Sequence, residues 1–489
     1  MYLGIDCGTQ GTKALILDAT TGQVRGRGSA AHTLVSEANG RREQDPAQWV
    51  DALIAASRAA LAQAGIAGSQ VKGVGVSGQQ HGLVLLGAEG QVLRPAKLWC
   101  DTETAPENDR LLATLGGTQG SMERLGLAIA PGYTVSKLLW TQEQFPEVFE
   151  QVHSILLPHD YLNFWLTGQR CAEYGDASGT GYFDVRQRQW DYALLDQIDP
   201  SGRLRQALPR LVQPNETIGT VLPNVAAVLG ISPTAVVASG GGDNMMGALG
   251  TGNIEPGLFT MSLGSSGTVY GFTPTPVVCD EPAVATFCSS SGGWLPLICT
   301  MNLTNVTSAV RGLFGLDLAA FNQAVAASPI GADGVMMLPF LNGERVPPLP
   351  LATGSVLGLT ASNLNAANLC RAAVEGTTFG LRYGLDLLRS AGMHSTAIRL
   401  VGGGAKSPVW RQLVADIMAT PVVCTVEPEA AALGAALQAA WCVGEHGDLQ
   451  ALSERCVQVD PGTLCQPDPH RVQAYQAVYE RYRHHILSL

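Results

Sequence analysis

The sequence predicts an α/β protein built from two duplicated domains with a cleft between them. Three observations carry that reading. Short apolar strands alternate with helical stretches along 489 residues, a length that exceeds one ordinary core. A strand, a glycine-and-hydroxyl turn and a returning strand occur twice, at Gly8-Thr9-Gln10-Gly11-Thr12 and at Gly264-Ser265-Ser266-Gly267-Thr268. Further along each half, a strand runs into small residues: residues 71–76 into Ser77-Gly78, and residues 397–401 into Gly402-Gly403-Gly404. Chance is the competing explanation, because glycine turns after strands are common. The shared order favours duplication.

Composition narrows the function classes. With 46% hydrophobic residues and no long polar tract, the chain reads as folded throughout. It carries 41 Asp and Glu against 30 Lys and Arg, without a dense basic run, so neither a nucleic-acid nor a membrane partner is expected. The 11 cysteines are odd in number, scattered and never spaced Cys-x-x-Cys, which reads as buried thiols of a cytoplasmic protein rather than disulfides or zinc ligands. Neither a signal-peptide pattern nor an apolar run of about 18 residues is present. A homodimer is compatible with all of this.

In chain order, residues 1–5 form a strand ending at Asp6, followed by the turn Gly8-Thr9-Gln10-Gly11-Thr12-Lys13 and a second strand at 14–17, as in an antiparallel meander. No phosphate loop of the Gly-x-x-x-x-Gly-Lys-Ser/Thr type is present. The turn can donate N–H groups and hydroxyls to phosphate oxygens while Asp6 holds hydrated magnesium; a plain polar hairpin is the alternative. Asp45-Pro46 starts a helix with Asp as N-cap and Pro at the first position, and Gly65 stops it.

The strand at 71–76 leads into Ser77-Gly78-Gln79-Gln80-His81-Gly82. Gly73, Gly75 and Gly78 match a dinucleotide fingerprint formally, but a strand at 83–86 follows where that fingerprint needs a helix. Gln80 and His81 at a strand end form a hydroxyl-binding pair, against the alternative of a structural histidine. Leu98-Trp99-Cys100-Asp101 closes another strand, and Trp99 with Asp101 reads either as a sugar-facing platform or as core.

Helices are expected at 133–140, 161–167 and 223–229, while the region 176–184 is turn-rich and of no legible role. The chain then reaches Gly240-Gly241-Gly242-Asp243-Asn244, one carboxylate behind three glycines, near the expected domain boundary at residue 235. The glycines allow close approach of a substrate or phosphate, and Asp243 reads as a reactive acid; an ordinary turn is the alternative.

In the second half, Gly402-Gly403-Gly404-Ala405 ahead of a helix capped by Ser407-Pro408 suits an adenosine or its phosphates. Gly434, inside an Ala-rich helix at 429–440, either lets a flat base lie close or serves helix packing. Glu344-Arg345, in a glycine/proline loop, reads as an ion pair before a substrate loop. A final helix at 472–487 is expected to pack back on the first domain.

With these residues in hand, the sequence resembles the FGGY family of carbohydrate kinases, and within it the D-xylulose kinases. The likeness runs over essentially the whole chain. It rests on Ile5-Asp6-Cys7-Gly8-Thr9, Ser77-Gly78-Gln79-Gln80-His81-Gly82, the segment 133–140 with Lys137, Gly240-Gly241-Gly242-Asp243-Asn244 and Leu263-Gly264-Ser265-Ser266-Gly267. The resemblance implies two actin-like ATPase (ribonuclease H-like) domains, 1–235 for sugar and 236–489 for nucleotide. It implies ATP and magnesium as cofactors and a small-molecule sugar as substrate. Asp243 would be the general base; Asp6 would be catalytic with it, and both would bind the metal. Gln80, His81, Trp99, Asp101, Asp243 and Asn244 are the sugar candidates. Gly8, Thr9, Gly11, Thr12, Lys13, Gly264, Ser265, Ser266, Gly267, Gly402, Gly403, Gly404 and Ala405 are the nucleotide candidates.

One position departs from the pattern: Gln80 stands where the resemblance leads one to expect Met. Other readings are a kinase for ribulose, gluconate or glycerol, a non-catalytic sugar- or nucleotide-binding regulator, and a nucleotide-driven chaperone or filament protein.

Overall fold

The structure is a computed structural model that describes residues 1–277 and 279–488. Two sheets of seven strands each organise it. The first contains β1 (Tyr2–Cys7), β2 (Gly11–Asp18), β3 (Gln23–Ala31), β4 (Gly73–Gly78), β5 (Thr217–Thr220), β6 (Val236–Ala238) and β7 (Gly241–Gly242), in the order β5-β6-β4-β1-β2-β3 with β7 also on β4. The second contains β8 (Leu258–Leu263), β9 (Gly267–Gly271), β10 (Ala285–Cys288), β11 (Trp294–Thr300), β12 (Ala397–Val401), β13 (Val422–Thr425) and β14 (Val459–Cys465), in the order β10-β11-β9-β8-β12-β13-β14.

The two sheets repeat one plan. Each has an antiparallel three-strand meander, β1-β2-β3 or β8-β9-β11, whose first strand runs parallel to a neighbour, β4 or β12. A second parallel neighbour follows, β6 or β13, and an antiparallel strand closes that side. The duplication inferred from the turns is therefore a duplication of sheet topology. The C-terminal ends of the central parallel strands, where open α/β sheets place their ligands, carry Asp6, Gly78, Gly242, Leu263 and Gly402.

Helix Pro46–Ala64 covers one face of the first sheet, with the Asp45 carboxylate accepting from Ala47 N and Gly65 closing it at φ 63°. The other face is covered by helix Ala430–Val443, which is distant in sequence. Its alanines pack with Tyr2, Leu15 and Leu17 in one core cluster. The approach is close enough to require glycine on the sheet: a Cβ on Gly75 would lie 1.9 Å from Ala435 O. The far side of that helix meets helix Asp243–Thr251, where a Cβ on Gly434 would lie 1.8 Å from Met246 O. Gly434 thus serves helix packing, and the backbone of Met246 fills the space a flat base would need.

Three further expectations are corrected. The first sheet runs to Gly242 and recovers a helix from residues 430–443, so a cut at residue 235 divides a continuous hydrogen-bonded unit. The final helix, Pro469–Ile486, buries Tyr475, Tyr479 and Tyr482 in the core of the second half rather than on the first. The strand before Trp99 is only Ala96–Lys97, and Leu98 to Asp101 form the turn beyond it. No described helix is long and apolar enough to cross a membrane.

Candidate active site

Asp6 closes β1 next to Ser77 on β4, and Ser77 Oγ donates to Asp6 Oδ1 at 2.8 Å. Gly241, on β7, pairs with the same Ser77, so the chain enters the next helix with Asp243 beside Asp6. Burial, then the nearby charges of Asp6 and Asp176, push the Asp243 carboxyl up to about 8. Burial likewise raises Asp6 to about 6 despite the Ser77 hydrogen bond. Two carboxylates at converging strand ends, with Asp6 raising the proton affinity of Asp243, form a site that asks for a cation.

The metal fit follows from that pair. Among the described residues no third His, Cys, Asp or Glu joins them to complete an all-protein cage. Magnesium retains water and shares phosphate oxygens while using one or two carboxylates, so Asp6 and Asp243 fit it.

Asn244 fixes the orientation of the base. Its backbone N–H and its Nδ2 both donate to Asp243 Oδ1, at 2.8 and 3.1 Å, which leaves Oδ2 for an incoming hydroxyl. Asn244 Nδ2 also donates to Gln80 Oε1 at 2.8 Å, so Gln80 is buried and tied to Asn244.

His81 follows at φ 64°, a left-handed conformation unusual for a residue with Cβ and common at functional turns. Lys137 holds this turn by donating to His81 O at 2.6 Å and Gly132 O at 2.7 Å. The ring stacks on Tyr133 with centroids 4.7 Å apart and packs on Phe287 at 5.8 Å. Burial, aided by Lys137 and Arg345, pulls its pKa down to about 3, so His81 is a neutral imidazole across the physiological range. Its Nδ1 is buried against Gly179, which leaves Nε2 for a ligand.

Trp99 Nε1 donates to Thr9 Oγ1 at 2.9 Å, and Thr9 Oγ1 donates to Gln79 Oε1 at 3.0 Å. Trp99 therefore ties the sugar side of the site to the first hydroxyl turn. Asp101 is committed elsewhere: it is buried, pairs with Lys97 at 2.9 Å and accepts from Arg42 N and Glu103 N. Its oxygens are satisfied without a ligand.

The hydroxyl turns are tighter than the sequence suggested. Gly8 N donates to Gly11 O at 3.0 Å, so Gly11, Thr12 and Lys13 already belong to β2, and Gly267 belongs to β9. Thr12 Oγ1 meets His32 Nε2 at 3.0 Å, and Lys13 pairs with Glu429 at 2.5 Å. Gly8, Thr9, Gly264, Ser265 and Ser266 remain in the turns, where Ser265 is exposed. Gly402 at φ 88° lies against Leu263 and Gly264, which joins the third glycine turn to the second. Gly403 has open space at its Cα, whereas Gly404 and Ala405 are buried.

The glycines ahead of Asp243 answer to side chains rather than to a phosphate. A Cβ on Gly240 would meet His159 and Asn163, one on Gly241 would meet Ser290 and Glu173, and one on Gly242 would meet Gln80 and Asp176. Sequence reasoning missed this polar layer, because its residues come from helix Pro158–Thr167 and from the turn-rich region near 176, with no periodic signal joining them.

It also misread the loop near 344. Glu344 is buried and accepts from Met301 N, Asn302 Nδ2 and Arg345 N instead of pairing with the Arg345 guanidinium. Arg345 is exposed, with no carboxylate partner among the described residues, and reaches across to Trp99 with its Cζ 5.9 Å from the ring. Elsewhere, a hollow of about 530 Å³ lined by Arg371, Asp416 and Tyr475 lies in the second half, away from these residues.

Comparison with known proteins places this geometry. Residues 1–250 match the N-terminal domain of the FGGY family of carbohydrate kinases, and residues 260–443 match its C-terminal domain. The chain belongs to the FGGY family of carbohydrate kinases. It is accordingly a phosphotransferase acting on an alcohol group, on the duplicated actin-like ATPase fold. This FGGY kinase is 50% identical to the xylulose kinase of Haemophilus influenzae, over 100% of both chains. It also superposes on a ligand-bound xylulose kinase from Lactobacillus acidophilus with a TM-score of 0.92 at 26% identity, covering 100% of this chain and 98% of that one. A gluconate kinase from the same organism gives 0.91 at 26% identity, with the same coverage. The fold therefore does not distinguish between sugars, and the distinction rests on sequence identity and on the pocket.

Proposed function

We propose that this FGGY kinase transfers the γ-phosphoryl group of ATP to D-xylulose, giving D-xylulose 5-phosphate. The observation that carries the chemistry is Asp243: a half-buried carboxylate beside Asp6, with one oxygen held by Asn244 and the other free. Full-length identity of 50% to a xylulose kinase supports the choice of sugar.

The sugar lies against the first half, with Nε2 of His81, Asn244 and the Trp99 edge as its contacts. The nucleotide lies against the second, with its phosphates between the Gly8-Thr9 and Gly264-Ser265-Ser266 turns and its adenosine near Gly402 and Gly403. Phosphoryl transfer needs alignment and charge neutralisation more than covalent help from the protein. Asp243 Oδ2 accepts the proton of the primary hydroxyl as that oxygen attacks phosphorus in line with the departing ADP. Turn N–H groups and the Ser266 hydroxyl hold the phosphate oxygens, with Arg345, exposed near Trp99 and without a carboxylate partner among the described residues, as an available cation. Magnesium held at Asp6 and Asp243 would neutralise phosphate charge.

ADP release measured with magnesium and ATP tests the reading across D-xylulose, L-xylulose, D- and L-ribulose, gluconate, glycerol and no sugar. Preference for D-xylulose is expected. Preference for gluconate would retain the base and reassign the sugar, and equal ADP release with and without sugar would refute the kinase reading.

A further inference from the structure

Gln80 is placed like a sugar contact and bonded like a structural relay. Its Oε1 accepts from Asn244 Nδ2 at 2.8 Å, and the same Nδ2 reaches Asp243 Oδ1 at 3.1 Å. On its other side, Gln80 Nε2 and Asp176 Oδ1 are both buried, and neither has a hydrogen-bond partner among the described residues. They converge at Gly242, where a Cβ would lie 2.8 Å from Gln80 Cγ and 3.0 Å from Asp176 Oδ1. The attraction between Gln80 and Asp176 opposes the burial that drives the Asp176 carboxyl well above its ordinary range.

Asp176 is held in turn. His159 Nδ1 and Asp176 Oδ2 are 2.5 Å apart, and His159 Nε2 lies 3.1 Å from Asp160 Oδ1. All three residues are at most 1% exposed. With the proton of the pair between Nδ1 and Oδ2, Asp176 Oδ1 stays an acceptor. Only one orientation of the Gln80 amide then suits both neighbours: NH₂ toward Asp176 and oxygen toward Asn244. The flipped amide would set donor against donor and acceptor against acceptor.

We propose that Gln80 is a positioning residue rather than a sugar contact, clamped between the His159–Asp176 pair and Asn244 so that Asp243 keeps its free oxygen aimed at the acceptor hydroxyl. The inference rests on the kinase reading and adds a line of five side chains from four separate segments, the buried His159, Asp176 and Gln80 leading to the half-buried Asn244 and Asp243. It also gives a reason for Gly242, since a side chain there would part Gln80 from Asp176.

Steady-state kinetics of Gln80→Met, Asp176→Ala and the double variant test it, each checked for folding by thermal melting and assayed on whichever polyol the wild type turns over. Gln80→Met preserves length and removes both polar atoms. It should lower kcat about ten- to a hundredfold while sugar KM stays within about twofold. The double variant should be no slower than the slower single variant, because both break one line. A tenfold rise in sugar KM at unchanged kcat would make Gln80 a sugar contact and overturn the proposal. Unchanged kinetics in Gln80→Met, or multiplying losses in the double variant, would overturn it too. If Asp176→Ala does not fold, the KM-against-kcat split of Gln80→Met decides alone. Absence of wild-type turnover on every polyol would instead refute the kinase reading.

Discussion

Replacing the central acid, Asp243→Asn, should weaken catalysis and strengthen the fold, and the two effects have one cause. In the protein without ligands, the Asp243 carboxyl is pushed from its ordinary 3.8 to about 8 by burial, Asp6 and Asp176. A carboxyl raised in this way leaves stability intact below the unfolded-state value and costs stability as pH rises, until it has ionised near pH 8. A gap of about four units, at about 1.4 kcal/mol per unit, sets an upper limit near 6 kcal/mol. The partial exposure of the carboxyl, and water entering the cleft, reduce the working value to about 2–3 kcal/mol. The amide carries no such penalty. Melting curves of both proteins at pH 5, 7 and 9 should show the variant gaining on wild type by a few degrees as pH rises, and magnesium with nucleotide should close the gap. Turnover should fall about 10²- to 10⁴-fold. Equal melting at every pH, or a variant that melts lower at pH 9, would refute the buried-acid reasoning; retained turnover would refute its role as base.

Three further changes separate packing from chemistry. Gly75→Ala puts a methyl 1.9 Å from Ala435 O, and overpacking of about 1–3 kcal/mol should lower the melting temperature. His81→Ala should raise sugar KM with little change in ATP KM. Because burial holds His81 near 3, the wild-type rate profile should show no inflection between pH 5 and 8 that disappears in this variant. Arg345→Ala removes an exposed cation without a carboxylate partner, so kcat/KM should fall about tenfold or more while the melting curve barely moves.

Local signals made much of this legible. Asp45-Pro46 and Gly65 bound a helix in the sequence, and the structure has that helix, because capping is a short-range interaction. The repeated glycine turns gave the duplicated topology, since each marks the first hairpin of a sheet. Other features were closed to sequence reading because they depend on distant segments. The helix Ala430–Val443 crosses to the first sheet, although an Ala-rich face gives no clue to which sheet it covers. Gly434 looked as suited to a flat ligand as to a neighbouring helix, and only the position of Met246 decides between them. Asp101 looked like a sugar ligand until Lys97, one helical turn's spacing away in sequence, was seen to occupy it. His159 and Asp176 are 17 residues apart with no motif between them, yet they meet directly behind Gln80.

The most direct test of the central claim is phosphorus-proton correlation NMR of the product formed from D-xylulose with ATP and magnesium. One new phosphate ester should appear, coupled to the terminal CH₂ protons at C5, formed in step with ADP and lost in Asp243→Asn. Inorganic phosphate without a sugar ester, or an ester on another carbon, would contradict it.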